Sequence, residues 1–417
     1  MHSVVSLDLD FVREQFPVFS DGESAQWAHL ENAGGSYVPH HVISLLNDFF
    51  TKSKVQPYWD FNPSVMAGEA MDRALDLLPA TFNATKEEVH FGPSTSQNTY
   101  VLAQALRPGW KTDDEIIVTN QDHEANIGAW RRLEMTGIRI REWQVDPATG
   151  LLEISALEEL MNERTKLLAV THASNLAATI NPIRSLADQI HALGGVIVVD
   201  GVSFAPHAAI DVKELDCDVY LYSTYKTYGP HAGLMYTSPR VLEKVSNQGH
   251  FFNSSKPTAR LTPAGPDHAT IAACAGIIDY YGAVFDHHFS GKDTVGIRER
   301  ICQVFELFGE HEQRLMTPLV DYVSSRSDFR LIGSPSSSHS DRAPTVAFHS
   351  YDVSSREIYS KLIDAGISCG HGNFYAHRLV EAIVLDSEDG VVRLSLVHYN
   401  TAEEVAKTLN VLDEIKP

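Results

Sequence analysis

An acid and a lysine each follow an apolar run of the sequence. Asp200 ends the run Val196 to Val199, and Lys226 follows the run Val219 to Tyr222. Open α/β sheets bind their ligands at the carboxyl ends of strands, so this carboxylate and this amine can contact one cofactor from two sides. Pyridoxal phosphate needs such a pair, because a lysine amine forms a Schiff base with its aldehyde and a carboxylate keeps its pyridine nitrogen protonated. The sequence therefore predicts a pyridoxal phosphate site.

A run of hydroxyl side chains offers a place for the phosphate. The segment Phe91 to Asn98, FGPSTSQN, leads into an apolar-periodic stretch, so Ser94, Thr95 and Ser96 lie at a predicted helix start. Backbone amides and hydroxyls there can hold a phosphate against the positive end of the helix dipole. Taken alone, the segment would more often be a plain helix cap without a ligand.

A histidine and an asparagine follow two further predicted strands. His123, in QDHEANIGAW, follows Glu115 to Thr119, and its ring could stack on an aromatic cofactor. Asn175, in THASN, follows Lys166 to Thr171, where it could contact the phenolic oxygen of the cofactor or a substrate carboxylate. Each residue alone would more often have a structural role, so the prediction rests on their combination.

The composition is that of a globular protein of enzyme size. The chain has 417 residues, of which 43% are hydrophobic and 21% are charged. The formal charge is 33 − 54 = −21, which argues against nucleic acid or an anionic membrane as the main partner. The amino-terminal segment lacks the pattern of a signal peptide, and no apolar run approaches the roughly 20 residues of a membrane span.

The cysteines are few and scattered. Cys217, Cys274, Cys302 and Cys369 show no CxxC spacing, so neither a disulfide framework nor a metal site is predicted. The histidines also lack the neighbouring carboxylates of a metal hydrolase. We therefore expect no metal and a cytoplasmic location.

Apolar runs of strand length alternate with amphipathic stretches from about residue 86 to 236. Near-continuous apolar strands need cover on both faces, which predicts an α/β fold with a mostly parallel sheet between helices. After about residue 285 a long amphipathic stretch over 295–323 precedes shorter strands and helices, which predicts an additional α+β unit.

Several motifs together carry a family resemblance. They are LENAGG from residue 30, HEANIGAW, HASN, VVDG, STYK followed by GP, and RLSLVHYNT from residue 393. With them the chain resembles the class V aminotransferase family of fold-type I pyridoxal phosphate enzymes. Within that family it is most similar to the cysteine desulfurase and selenocysteine lyase branch. The resemblance runs over nearly the whole chain.

The resemblance implies roles for individual residues. Lys226 would form the Schiff base, and Asp200 would pair with the pyridine nitrogen. His123 would stack on the ring, and Asn175 would contact the phenolic oxygen. Thr95 and Ser223 would bind the phosphate. Arg393 would bind the substrate carboxylate in a bidentate manner, for which a guanidinium is suited.

The resemblance also implies an architecture. A large domain over 21–285 would hold a mainly parallel seven-stranded sheet, and residues 1–20 with 286–417 would form a small domain. Members of the family are usually homodimers with sites at the subunit interface. The segment Tyr58 to Ser64 is then a candidate to reach the partner's site.

Several positions depart from the pattern of a desulfurase, among them the turn TPAGPDH, where Gly265 or a neighbour occupies the place of the expected threonine. Tyr225 stands before the lysine where histidine is typical, and its hydroxyl could replace a phosphate contact. Ser203 stands where a glutamine is frequent near the phenolic oxygen. Tyr375 occupies the place of the nucleophilic cysteine, and Cys369, earlier in the same loop, is predicted to be a structural thiol.

These features predict a pyridoxal phosphate enzyme acting on a small amino acid. The first hypothesis is a lyase that eliminates or releases a β-substituent without a persulfide cysteine, with Lys226 as the base at Cα. The alternatives are an aminotransferase using a 2-oxo acid, an epimerase, and a noncatalytic scaffold. Tyr375, His371 and His231 are further candidates for acid or base groups near the substrate.

Overall fold

The fold is described from a computed structural model of the chain. The structure describes residues 5–289, 294–383 and 385–415. Parts of the predicted small domain, at residues 1–4, 290–293, 384 and 416–417, lie outside the described residues.

The secondary structure alternates strands with helices through the first two thirds of the chain. The strands are β1 (Ala28–His29), β2 (Val89–Gly92), β3 (Glu115–Thr119), β4 (Arg139–Trp143), β5 (Thr165–Thr171), β6 (Val196–Asp200), β7 (Val219–Ser223), β8 (Gly233–Thr237), β9 (Phe329–Leu331), β10 (Thr345–Ser350), β11 (Ile367–Ser368), β12 (Gly370–Gly372) and β13 (Val391–Ser395). The α-helices are α1 (Leu9–Glu14), α2 (His40–Lys52), α3 (Asn62–Leu77), α4 (Thr95–Leu106), α5 (Glu124–Arg131), α6 (Ile154–Leu160), α7 (Ile183–Ala192), α8 (Val212–Leu215), α9 (Pro239–Leu242), α10 (Pro257–Arg260), α11 (His268–Ala273), α12 (Ala275–His288), α13 (Ile297–Ser325), α14 (Ser355–Asp364), α15 (His377–Ala382) and α16 (Ala402–Glu414).

The main sheet confirms the predicted α/β fold. Among the described residues, seven strands form it in the order β2, β8, β7, β6, β5, β3, β4. All neighbours are parallel except at β8, which runs antiparallel to both β2 and β7. Every residue of β3, β6, β7 and β8 is buried, because helices cover both faces.

The parallel strands bring their carboxyl ends to one edge of the sheet. In the register of β5 with β6, Thr171 lies opposite Asp200, and Asp200 lies opposite Leu221 of β7. Strand β7 ends at Ser223, and Lys226 closes the short 3₁₀-helix that follows it. The predicted acid and lysine therefore lie at the same edge.

A second, antiparallel sheet follows along the chain. Its order is β12, β13, β10, β9, and helices α13, α14 and α16 pack on it through a common apolar cluster. The early strand β1 pairs with β11 of this part of the chain, and the next residues continue alongside β13 through a bridge between Glu31 and Ser395. The amino-terminal segment is thereby placed beside the carboxyl-terminal sheet.

The division into two domains stays a prediction. Val12 and Phe16 pack in the apolar cluster of the main sheet, whereas Ala28 and Leu30 pack in the cluster of the second sheet. A division drawn on packing alone would exchange these two segments between the predicted domains. Within the described ranges, no helix is long and apolar enough to cross a bilayer.

Candidate active site

A cavity of about 140 Å³ opens at the carboxyl edge of the main sheet. It is lined by all ten residues that the sequence predicted to bind the cofactor: Ser94, Thr95, Ser96, His123, Asn175, Asp200, Ser203, Ser223, Tyr225 and Lys226. They converge there because the strands that precede most of them end at the same edge. Their role toward a cofactor remains a prediction.

One end of the cavity is formed by the amino terminus of α4. Ser94 caps this helix, with its hydroxyl accepting a hydrogen bond from the Gln97 N–H at 3.2 Å. The Thr95 and Ser223 hydroxyl oxygens are 2.7 Å apart, and Tyr225 lines the same end of the cavity. The free backbone N–H groups at the helix start and the hydroxyls of Thr95, Ser223 and Tyr225 are donors that fit a phosphate. The positive end of the helix dipole also favours an anion there.

A glycine permits the close packing of this end. A Cβ on Gly233, the first residue of β8, would lie 2.4 Å from the carbonyl carbon of Ser94 and 2.6 Å from the Thr95 nitrogen. Both contacts are with backbone, which cannot move without displacing the start of α4. The absence of a side chain at Gly233 therefore sets the position of the helix amino terminus.

The acid and the lysine face the cavity from β6 and from the segment after β7. Asp200 Oδ1 accepts a hydrogen bond from the Val202 N–H at 2.9 Å, and burial raises the pKa of its carboxyl. A ring N–H⁺ would give this carboxylate the cationic partner that burial demands. Burial also lowers the pKa of the Lys226 amine to about 8, with the charge of Arg393 acting in the same direction.

The histidine presents a neutral ring. His123 is the N-cap of α5, and its Nδ1 accepts a hydrogen bond from the Ala125 N–H at 3.0 Å, so the ring proton is on Nε2. Burial, together with the smaller effect of the charges of Lys226 and Arg393, lowers its pKa to about 4. A neutral, oriented imidazole fits stacking on a cofactor ring.

The asparagine is tied to the loop before α15. Asn175 Nδ2 donates to the carbonyl oxygen of Phe374 at 3.0 Å, while its Oδ1 is buried without a hydrogen-bond partner. The amide nitrogen carries a second N–H, so it can still donate to a phenolic oxygen.

The arginine that is predicted to bind the substrate carboxylate lies beside the cavity and is not among the described residues that line it. Arg393 of β13 is 2% exposed, and its Nη1 donates to the carbonyl oxygen of Asn175 at 3.4 Å. Its Nη2 is 2.5 Å from Glu31 Oε1, and the ring of Phe374 lies 3.8 Å from its guanidinium carbon. Sequence reasoning missed Glu31, because no spacing in the chain signals a contact across 362 positions. It also missed Phe374, whose contact with Arg393 depends on the pairing of β12 with β13.

The residue in place of the nucleophilic cysteine stands at the edge of the site. Tyr375 is 74% exposed, its ring centroid is 5.3 Å from that of His123, and its carbonyl oxygen accepts a hydrogen bond from the Glu124 N–H. Phe374 and Tyr375 both have left-handed backbone conformations, with φ of 49° and 60°. Such conformations are strained for residues with side chains.

The remaining candidates from the sequence differ in whether they lie at the cavity. His231 lines the cavity and stacks on Tyr225 at 4.7 Å between ring centroids. His371 of β12 contacts Tyr359 and is not among the residues described as lining the cavity. Cys369 is 6% exposed, and burial together with the charge of Glu31 raises the pKa of its thiol to about 12.

The comparisons with known proteins agree with this geometry. The family model described as aminotransferase class-V matches residues 28–262 and 303–408. An aminotransferase-like protein, FGM3, of Gibberella zeae is 35% identical over 98% of this chain and 99% of its own length. A cysteine desulfurase-like protein, ustD, of Aspergillus flavus is 32% identical over 98% of this chain and 91% of its own. The solved cysteine desulfurase of Thermococcus onnurineus superposes with a TM-score of 0.84 at 21% identity, covering 99% of both chains.

Proposed function

The chain belongs to the class V aminotransferase family, whose members use pyridoxal phosphate, and on this premise we propose that it releases a substituent from Cβ of a small amino acid. The observation that supports this proposal is the cavity itself. It joins Lys226, Asp200 and His123, while none of the described residues that line it is a cysteine.

In this proposal some side chains bind the substrate and the cofactor, and others hold or transfer a proton. Arg393 binds the α-carboxylate of the substrate, and Asn175 with the neutral ring of His123 orients the reacting groups. Asp200 would keep the ring nitrogen of a bound pyridoxal phosphate protonated, and the cofactor would supply an acceptor for electrons from Cα. The Lys226 amine, with its lowered pKa, removes the proton from Cα.

The thiols of the chain support release without a persulfide. A desulfurase needs a reactive thiolate, and thiolates form where the pKa is low and the sulfur is accessible. Cys369 is buried with a pKa of about 12, and Cys217 and Cys274 lie in the core of the main sheet. Cys302 is half-buried on α13 and is not among the described residues that line the cavity. A leaving group that departs with its bonding electrons would give pyruvate and ammonia. A β-sulfinate or β-carboxylate that departs as SO₂ or CO₂ leaves its bonding electrons on Cβ, and protonation of that carbon would give alanine.

Amino transfer to a 2-oxo acid is the second candidate function. The relative at 35% identity is called aminotransferase-like, which favours this reaction. The two reactions differ in their need for an acceptor. A transferase is inactive without a 2-oxo acid and accumulates the amine form of the cofactor, whereas a lyase turns over with one substrate.

The experiment compares the purified protein with its Lys226→Ala and Cys369→Ala variants. We expect a visible absorption band from the lysine-bound cofactor in the parent and in Cys369→Ala, and its loss in Lys226→Ala. Cysteine, cysteine sulfinic acid and aspartate are then added without a 2-oxo acid, and pyruvate and alanine are measured. Turnover in both the parent and Cys369→Ala supports the lyase. Turnover only with a 2-oxo acid favours the transferase, and no cofactor band contradicts both.

We also propose that two copies of the chain form a homodimer that completes the site. Large apolar side chains are exposed on the segment between α2 and α3 and on the flanking helices, among them Phe50, Tyr58, Trp59, Phe61 and Val65. A surface of this kind typically marks a protein interface. A cytoplasmic location stays a prediction from the scattered cysteines.

A further inference from the structure

The arginine assigned to the substrate carboxylate already holds a carboxylate of the chain. Glu31 Oε1 lies 2.5 Å from Arg393 Nη2, and the arginine is buried while the glutamate side chain is 27% exposed. We propose that Glu31 occupies the place of the substrate carboxylate on Arg393, and that a substrate carboxylate binds by displacing it. This inference rests on the proposed function, in which Arg393 binds that group.

The contact with Glu31 uses only part of the guanidinium. Arg393 Nε and Glu31 Oε2 are both buried without a hydrogen-bond partner, so the pair is joined through one oxygen and one nitrogen. A free carboxylate can bind two N–H groups of a guanidinium at once, and bidentate pairs are stronger than single contacts. An incoming substrate can therefore satisfy donors that Glu31 leaves unpaired.

The carboxylate of Glu31 packs on two glycines, and the rest of its side chain is partly exposed to solvent. A Cβ on Gly34 would lie 2.5 Å from Glu31 Oε1, and a Cβ on Gly370 would lie 3.3 Å from Glu31 Oε2. Only glycine permits this close packing at the two positions, and the Phe374 ring lies on the Gly370 side, so the way out for the carboxylate is the exposed side of Glu31. The partial exposure of Glu31 offers a route to solvent, while the Phe374 ring continues to cover the face of Arg393.

The exchange would also keep the charge of the site constant. A buried arginine without a partner is costly, and Glu31 supplies a partner before substrate arrives. The charge of Glu31 also acts on Lys226, raising the pKa of its amine against the larger effect of burial. Replacement of one carboxylate by another preserves both interactions, whereas a ligand without a carboxylate would leave Glu31 in place. Glu31 is thus a specificity-determining residue for carboxylate ligands.

The test uses propionate, which has a carboxylate but no amine to react with the cofactor, and its neutral analogue propionamide. Binding of each to the purified protein is measured by isothermal titration calorimetry in the parent and in Glu31→Gln. Because a hydrogen bond to a charged group is worth roughly 1.5–3 kcal/mol, we expect Glu31→Gln to bind propionate about tenfold to a hundredfold more tightly. Propionamide binding should not change.

The matched control is Glu142→Gln, which removes a similarly exposed glutamate from its ion pair with Arg131 outside the cavity lining. It should bind propionate as the parent does, and Arg393→Gln should not bind it. Equal, weaker or undetectable propionate binding by Glu31→Gln would overturn the inference and leave Glu31 as a positioning partner of Arg393. Tighter binding of propionamide would overturn it as well. Propionate does not use Lys226, so the titration stays informative even if the spectra contradict the proposed function.

Discussion

At the scale of single residues, the lowered pKa of Lys226 determines when its amine is reactive. Only the neutral amine attacks an aldehyde, and burial brings the pKa to about 8. We expect the rate at which the cofactor-free protein captures pyridoxal phosphate to rise with pH through about 8 and then become constant. The measurement is the growth of the visible absorption band after mixing, between pH 6 and pH 10.

The control for this prediction is Nα-acetyl-lysine, whose amine has the ordinary lysine pKa of about 10.4. Its reaction with the same aldehyde should still be accelerating above pH 9. If the protein and the model amine show the same pH dependence, the Lys226 amine is not perturbed in the way that its burial implies.

The convergence of the proposed cofactor residues in one cavity was predictable from the sequence, because each follows a strand or starts a helix. Asp200, Lys226 and His123 are local to elements that the apolar pattern reveals, and parallel pairing brings their strand ends together. Glu31 was not predictable as a partner of Arg393. Its position depends on pairing of β1 with β11, which joins segments from opposite ends of the chain.

At the scale of elements, the contact of β8 with the start of α4 is a steric requirement of the proposed phosphate site. In Gly233→Ala the new methyl group would meet the backbone of Ser94 and Thr95. Overpacking of this kind costs about 1–3 kcal/mol of the free energy of unfolding. We expect that loss in urea unfolding and a weaker affinity for pyridoxal phosphate, measured by spectral titration.

A second glycine provides the control. Gly282 lies within α12, and a Cβ there would have no atom within 4 Å. Since alanine is favoured over glycine inside a helix by about 0.5–1 kcal/mol, Gly282→Ala should be slightly stabilised and should bind the cofactor as the parent does. Unchanged affinity in Gly233→Ala would mean that the helix start does not hold the phosphate.

Some elements of the fold could not be predicted from the sequence, and in each case the reason is physical. Strand β4, RIREW, is an edge strand with one neighbour, so it tolerates charged side chains and lacks the apolar run of a central strand. Strand β12 contains only Gly370, His371 and Gly372, and its pairing with β13 determines its conformation. The left-handed turn at Phe374 and Tyr375 has no glycine to mark it.

At the scale of the whole molecule, the exposed apolar segment after α2 predicts how two copies associate. Trp59 is 63% exposed, and Trp59→Asp would place a charge on the proposed interface, where burying an unpaired charge is costly. We expect sedimentation velocity to show a dimer for the parent and a monomer for Trp59→Asp, with activity reduced because the variant would lose the partner that is proposed to complete the site. Met135→Asp is the control, since Met135 is 92% exposed on a different segment and should leave the dimer intact. A parent that is monomeric and fully active at low concentration would contradict the dimer.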